Sequence, residues 1–184
     1  AGQDVADPEV RFVPGETPPV LGDVVERHYK PLVMRLTILR VPTIAAVNGV
    51  AAGAGASLAL ACDMVIASQA ASFMLPFAKI GLIPDTACSW LAPQRLGQAR
   101  ALGLAMTGNK LPAAKAAEWG LIWEAVAEEA FAESVQKLAE QLATMPTKAL
   151  VRTRQAMQAG RTNTLEQQLT LEGLYMRELG RSSD

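Results

Sequence analysis

Asp85 is the acid in this sequence with the surroundings of a general base. It follows Pro84, with Gly81-Leu82-Ile83 before it and Ala87, Cys88 and Trp90 after it, so the carboxylate is set among apolar neighbours. Burial of that kind disfavours the charged form and raises the pKa, as a proton acceptor working near neutral pH requires. The same position suits the N-cap of a helix over Thr86 to Leu91, and one side chain can fill both roles. A second group has no titrating side chain at all: Gly53-Ala54-Gly55-Ala56. Small residues that follow a buried strand and open a helix leave backbone N–H groups aimed outward, and such donors suit an anion or an oxyanion. They equally let a helix pack closely on a sheet. The run is not Gly-x-Gly-x-x-Gly and lacks the Lys-Ser/Thr of a phosphate loop, which argues against nucleotide hydrolysis.

Ser57 as a nucleophile would need a base. The single histidine, His28, lies on a helix expected before the strand and has no orienting partner in the sequence, so it reads as solvated or partly packed. Asp63, just ahead of Met64-Val65-Ile66, reads as a strand anchor. Cys62 and Cys88 form no Cys-x-x-Cys and no disulfide framework, and with no His cluster beside them there is no structural zinc motif. Cys88 reads as a small buried filler more readily than as a reactive thiol.

These groups must be positioned by a chain of 184 residues with 17 Lys+Arg, 18 Asp+Glu and 50% hydrophobic residues. That is enough for one sizeable core and fits one domain. A formal net charge of -1 with no basic run removes the electrostatic footprint of nucleic-acid binding. The apolar stretches fall short of the roughly 20 residues that span a bilayer, so no membrane partner is expected, and the sparse cysteines fit a reducing cytoplasm. The first residue is Ala1 rather than Met and no signal peptide follows, as expected of a fragment or a processed chain.

Val5 to Gly22, rich in Pro, reads as an exposed mobile loop. Asp23 is the expected N-cap of an amphipathic helix carrying Val24, Tyr29, Leu32, Val33, Leu36 and Leu39, bent near Pro31. Thr43 to Val47 is an expected buried strand ending in the Asn48-Gly49 turn, and Gly53 to Ala61 opens a helix. Asp63 to Ala67 and Ser72 to Met74 are expected strands, Ile80 to Asp85 a turn, and Asp85 to Ser89 the start of another helix. Helices follow over Gly97 to Met106, Pro112 to Trp119, Glu128 to Ala143, Pro146 to Ala159 and Thr164 to Leu179, interrupted by a strand over Leu121 to Val126. The order is that of an α/β layered fold.

The runs PTIAAVNGVAAGAGASLALACDMVIAS, FMLPFAKIGLIPD and EWGLIWEAV, in that order, resemble the crotonase (enoyl-CoA hydratase/isomerase) superfamily along essentially the whole chain. The opening AGQD resembles the family's first oxyanion-hole turn. The resemblance implies an α/β fold of β-β-α turns wound as a spiral, residues 1–126, and a C-terminal helical region, residues 127–184, that supports homotrimers and hexamers. It also implies strands ahead of Ala1 and a helical tail after Asp184. The implied partner is an acyl-CoA thioester whose carbonyl is held by two backbone N–H groups, here those of Gln3 and Ala54. Gly53 and Gly55 keep Ala54 accessible, Ala1 and Gly2 lie near the CoA arm, and Asp4 is a further expected substrate-binding residue. CoA belongs to the substrate, and neither a metal nor a redox cofactor is implied.

Departures from the family pattern carry the finer expectation. The two glutamates with which its hydratases activate water match Ser57 and Phe77, neither of which is a base. Asp85 matches the catalytic aspartate of the family's dienoyl-CoA isomerases. The chain resembles most the 1,2-epoxyphenylacetyl-CoA isomerases of aerobic phenylacetate catabolism; Phe77 in place of a glutamate suits an aromatic or apolar acyl group, and Ser57 and Pro84 are further expected substrate-binding residues. Related sequences tend to carry paired glycines within the stretch Thr86-Ala87-Cys88-Ser89. The rival expectations are an isomerase or hydratase of aliphatic enoyl-CoA esters and a non-catalytic acyl-CoA-binding subunit. Lys148, Arg152 and Arg154 are placed to reach a CoA phosphate or to form a solvated basic face.

Overall fold

Short runs of β-branched and small apolar residues alternate with turns through the middle of the chain, and they settle into two sheets. In the first, β1 (Ile44–Val47) lies parallel to β3 (Met64–Ser68), with Ile44 beside Met64 and Val47 beside Ala67, and β6 (Glu124–Val126) pairs in parallel with the other edge of β3. Val65, Ile66, Ala67 and Ser68 are all buried, as a central parallel strand covered on both faces requires. In the second, β2 (Val50–Ala52) lies parallel to β4 (Ser72–Met74), and β5 (Leu111–Pro112) is antiparallel to β4. Each pass of the chain leaves one strand in each sheet, and helix α3 (Ala54–Ala61) completes the first pass. This is the β-β-α spiral of the crotonase fold.

The computed structural model describes residues 2–182, which divide into two compact units, 2–38 with 44–135 and 39–43 with 136–182. The core of the larger unit gathers Leu60 from α3, Val65 from β3, Phe73 from β4, Cys88 and Leu91 from α4 (Cys88–Leu96) and Leu121, with α5 (Gln98–Thr107) and α6 (Ala113–Glu118) adding Leu104, Ala113 and Ala116. Arg95 on α4 fastens the far end of α3, donating from its guanidinium to the carbonyls of Leu60 at 2.6 Å, Cys62 at 3.2 Å and Leu121 at 3.1 Å. A cation on the last carbonyls of a helix satisfies groups that have no partner within it and opposes the negative end of its dipole.

Several elements differ from expectation for identifiable reasons. The first helix starts at α1 (Leu21–Val24), so Asp23 sits in its first turn rather than at the N-cap, which is Val20. The bend near Pro31 is a π-turn over Val25–Tyr29 leading into α2 (Lys30–Ile38). Proline lacks an N–H and its ring clashes with the carbonyl four residues back, here that of Arg27, and a wider turn relieves both problems. Strand β2 was absent from the sequence reading because Val50-Ala51-Ala52 is too short and too small-sided to show a period. The loop over Val5 to Gly22 is largely exposed, as expected, yet it is turned rather than featureless: Asp4 Oδ1 accepts from the N–H of Ala6 at 2.9 Å and Asp7 Oδ1 from that of Glu9 at 2.8 Å.

In the smaller unit, α8 (Thr147–Ala159) packs with α9 (Leu165–Leu179), which opens on a capping box between Thr164 and Gln167. The three cations expected either to reach a phosphate or to face solvent are engaged inside this unit. Lys148 and Arg152 pair with Glu178 at 3.2 and 2.7 Å, Arg152 also stacks over Tyr175, and the guanidinium of Arg154 donates to the carbonyls of Leu39 and Val41.

The start of α4 departs furthest from expectation. Asp85 is not its N-cap; Ala87 is, and Thr86 and Ala87 take φ values of 52° and 65°. Left-handed backbone at two successive residues with Cβ atoms is costly, and for a β-branched threonine it is an outlier. Paired glycines, which related sequences tend to carry in this stretch, adopt such a conformation without that cost. Ala87→Gly is therefore expected to stabilise the protein by about 1 kcal/mol, read as a higher urea midpoint at unchanged m-value; an unchanged or lower midpoint would contradict the strain.

Candidate active site

The site starts from a close approach of two backbones. Gly2 lies against the end of β2 so tightly that a Cβ built on it would stand 2.7 Å from the carbonyl oxygen of Ala52, closer than real Cβ atoms come. Only glycine fits there, and this sets the Gly2-Gln3-Asp4 turn beside the strand that feeds α3. One residue further, Gly53 is the N-cap of α3 with φ 54° and ψ -124°, a backbone state closed to residues with side chains, and its N–H bonds the carbonyl of Met74 at 3.0 Å. Ala54, Gly55 and Ala56 then form the first turn, where N–H groups have no carbonyl four residues back within the helix. The buried ring of Phe77 covers Gly53, with Cζ 3.6 Å from where a glycine Cβ would stand.

Asp85 is half-buried at the turn before α4. Burial pushes its carboxyl above the ordinary carboxylate range, against the smaller opposing effect of the Thr86 hydroxyl, which donates to Asp85 Oδ1 at 2.9 Å. Its main-chain carbonyl is gripped from two sides, by the N–H of Cys88 at 2.8 Å and by the hydroxyl of Ser57 at 3.2 Å. Ser57 is fully buried on α3, and the same hydroxyl lies 3.1 Å from the carbonyl of Gly53. Cys88 is fully buried as well, and burial drives its thiol up to about 11, so it stays a neutral filler.

A cavity of about 440 Å³ is lined by Gln3, Asp7, Glu9, His28 and Tyr29 together with apolar side chains. His28 meets Glu9 at 3.0 Å across this cavity, and Arg27 approaches the same carboxylate at 3.8 Å. The orienting partner that the sequence did not supply for His28 is therefore Glu9, on the loop before it. Tyr29 is the functional candidate that the sequence reading missed, because it falls on the spacing of an otherwise aliphatic helical stripe. Burial, then the charges of Asp85 and Asp7, hold its phenol above its ordinary pKa, so it remains a hydrogen-bond donor at neutral pH.

The structure thus sets Gly2 against the strand that leads into Gly53 and Ala54, lays Phe77 over Gly53, puts Gln3 on the wall of the cavity, and joins Asp85 to the first turn of α3 through Ser57. Ser57 itself turns away from open space toward two carbonyls. The carboxylate of Asp4 is spent on the turn at Ala6, while Pro84 is half-buried next to Asp85. Ala1 lies outside the described residues.

Comparison with known proteins places this arrangement. A model of the enoyl-CoA hydratase/isomerase family matches residues 16–184. The 1,2-epoxyphenylacetyl-CoA isomerase of Escherichia coli K12 is 53% identical over 184 residues, all of this chain and 70% of that protein. A probable enoyl-CoA hydratase of Rhodobacter capsulatus is 43% identical over the same span, 69% of its length. Among solved structures, an enoyl-CoA hydratase/isomerase of Mycobacterium abscessus matches with a TM-score of 0.84 at 35% identity, over 89% of this chain and 63% of that one. An enoyl-CoA hydratase of Thermobifida fusca in complex with CoA matches with a TM-score of 0.85 at 29% identity, over 99% and 73%. The chain spans about two thirds of the lengths of these relatives. With its two-sheet spiral, its small-residue helix start and these matches in agreement, the chain belongs to the enoyl-CoA hydratase/isomerase family.

Proposed function

We propose that the protein isomerises an acyl-CoA thioester, with Asp85 as the base and the N–H groups of Gln3 and Ala54 as the oxyanion hole. The observation that carries this reading is a half-buried carboxylate of raised pKa, tied through its own carbonyl to the helix turn that presents Ala54. Asp85 takes the proton from the thioester α-carbon. The C–H electron pair moves into the carbonyl, and the resulting enolate oxygen is held by the two N–H groups, which strengthen as negative charge develops. Collapse of the enolate sends the pair onward, to shift a double bond or to open a ring C–O bond, and Asp85 returns its proton to the substrate. Gly2, Gly53 and Gly55 give the backbone close access to the thioester, Asp4 fixes the turn, and Phe77 and Pro84 form an apolar wall for the acyl group.

The favoured substrate is 2-(1,2-epoxy-1,2-dihydrophenyl)acetyl-CoA, by similarity to the Escherichia coli isomerase and because Phe77 offers an aromatic face. The whole enzyme is proposed to work as a homotrimer or hexamer in the cytoplasm; among the described residues no helix is long and apolar enough to cross a membrane. An absorbance assay with the enzymatically generated epoxide, beside crotonyl-CoA and a 3-enoyl-CoA, tests the choice. Turnover of the aliphatic esters alone would move the protein to fatty-acyl isomerisation or hydration, and tight binding without any turnover would make it a binding subunit.

Asp85→Asn is expected to lower kcat at least a hundredfold with KM little changed. The acid limb of kcat/KM in the unsubstituted protein should lie above the ordinary carboxylate pKa, since Asp85 must be ionised to act. The stability effect has a definite sign. A carboxyl whose folded pKa is raised stabilises the fold below its unfolded pKa and loses that contribution as pH climbs through the folded one. Asp85→Asn should therefore be at least as stable as the parent at pH 7, an advantage that shrinks on acidification; a loss of stability at pH 7 would count against a penalised base. Gly2→Ala must displace the turn from Ala52 and is expected to cut kcat tenfold or more while the melting temperature moves by only a few degrees; retention of full activity would separate that turn from the chemistry.

A further inference from the structure

We propose that Ser57 is a positioning residue: its hydroxyl, shared between the carbonyls of Gly53 and Asp85, sets the reach of the base from the oxyanion turn. This rests on the reading of Asp85 as the base. The bond to Gly53 is the local i to i-4 contact that serines often make inside helices, and by itself it implies nothing. The bond to Asp85 spans 28 positions and joins the first turn of α3 to the turn that precedes α4. Both carbonyls also serve their own turns, that of Gly53 accepting from the N–H of Ser57 at 3.0 Å and that of Asp85 from the N–H of Cys88 at 2.8 Å.

Ser57 is one of the few polar residues that are fully buried, in a core otherwise of apolar side chains. A fully buried hydroxyl without a partner is costly, which makes a bonded one a specific choice. The hydroxyl has one proton for two acceptors, and the Cys88 thiol stands beside it. Cys88, Ser57 and the two carbonyls thereby form a chain of contacts, with the two strained residues Thr86 and Ala87 lying between Asp85 and Cys88 in the chain.

The test compares the protein with Ser57→Ala and Ser57→Thr, using enzymatically generated 1,2-epoxyphenylacetyl-CoA and a 3-enoyl-CoA as substrates, with Asp85→Asn as a reference. Ser57→Ala is expected to fold with an unchanged far-ultraviolet spectrum, to lose kcat at least tenfold with KM within twofold, and to speed amide hydrogen exchange at least tenfold in peptides covering 83–91. Ser57→Thr, which keeps the hydroxyl, is expected to return kcat to within threefold of the parent. A kcat within twofold of the parent for Ser57→Ala, or a loss of kcat with exchange over 83–91 unaltered, would overturn the positioning role. If the parent and Asp85→Asn turn over alike, the base assignment fails and the bridge is judged by exchange alone: acceleration in Ser57→Ala sustains it, and its absence rejects it.

Discussion

The approach of Gly2 to the carbonyl of Ala52 is the constraint on which the arrangement of the site depends. At 2.7 Å from a would-be Cβ there is no room for any other residue, and no flexible side chain stands in between to give way. The contact brings the N-terminal turn to the end of a three-residue strand, and that strand leads within two residues into α3. Two segments about fifty positions apart thus meet at backbone level, where the spacing is set by peptide geometry rather than by adjustable side chains. An oxyanion hole made of main-chain N–H groups needs this, because its donors must be fixed before charge develops on the substrate oxygen. The rest of the larger unit keeps α3 in place: strands β1, β2 and β3 and helix α4 pack against it, and Arg95 binds the carbonyls at its far end.

Stability and function pull against each other around Asp85. Its carboxyl is partly removed from water, and the next two residues hold left-handed backbone that their Cβ atoms disfavour. Thr86 offsets part of this by donating to the carboxylate, and the Asp85 carbonyl offsets more by accepting from Ser57 and Cys88. Such a turn persists only because the surrounding contacts over-determine it. Its presence beside the one acid with a raised pKa near α3 is the pattern expected where local strain holds a reactive group in place.

Much of the fold was legible in the sequence because it rests on strong local signals. The parallel strands β1, β3 and β4 announced themselves as short apolar runs between turn residues, whereas β2 was too short to, and the helices of the C-terminal third were marked by their caps, such as Thr164 three residues ahead of Gln167. Asp85 and the small-residue helix start were also legible, from their apolar surroundings and from the family pattern. What escaped was decided by contacts distant in sequence. His28 acquired Glu9, 19 residues away, and Ser57 acquired the carbonyl of Asp85, 28 residues away. Tyr29 was hidden inside a helical stripe, and neither the positive φ of Thr86 nor the π-turn ahead of Pro31 has a composition that reveals it. Arg152 and Arg154 show the same limit: their charge was visible, whereas their engagement with Glu178 and with the carbonyls of Leu39 and Val41 was not.

The chemistry that suits such a site follows from how many acids it brings to bear. Adding water across a double bond asks for groups that deprotonate the water and protonate carbon, and the hydratases of the family meet that demand with two carboxylates. Here one of those positions is a buried hydroxyl committed to backbone carbonyls, and the other is an aromatic ring lying over Gly53. Neither supplies a carboxylate to deprotonate water. With Asp85 as the proposed base beside the proposed oxyanion hole, the capacity that remains is to take a proton from carbon and return it to another atom of the same molecule. That exchange conserves the composition of the substrate and needs no second base, which is why removing two glutamates from this scaffold points toward isomerisation and not merely toward loss of hydration.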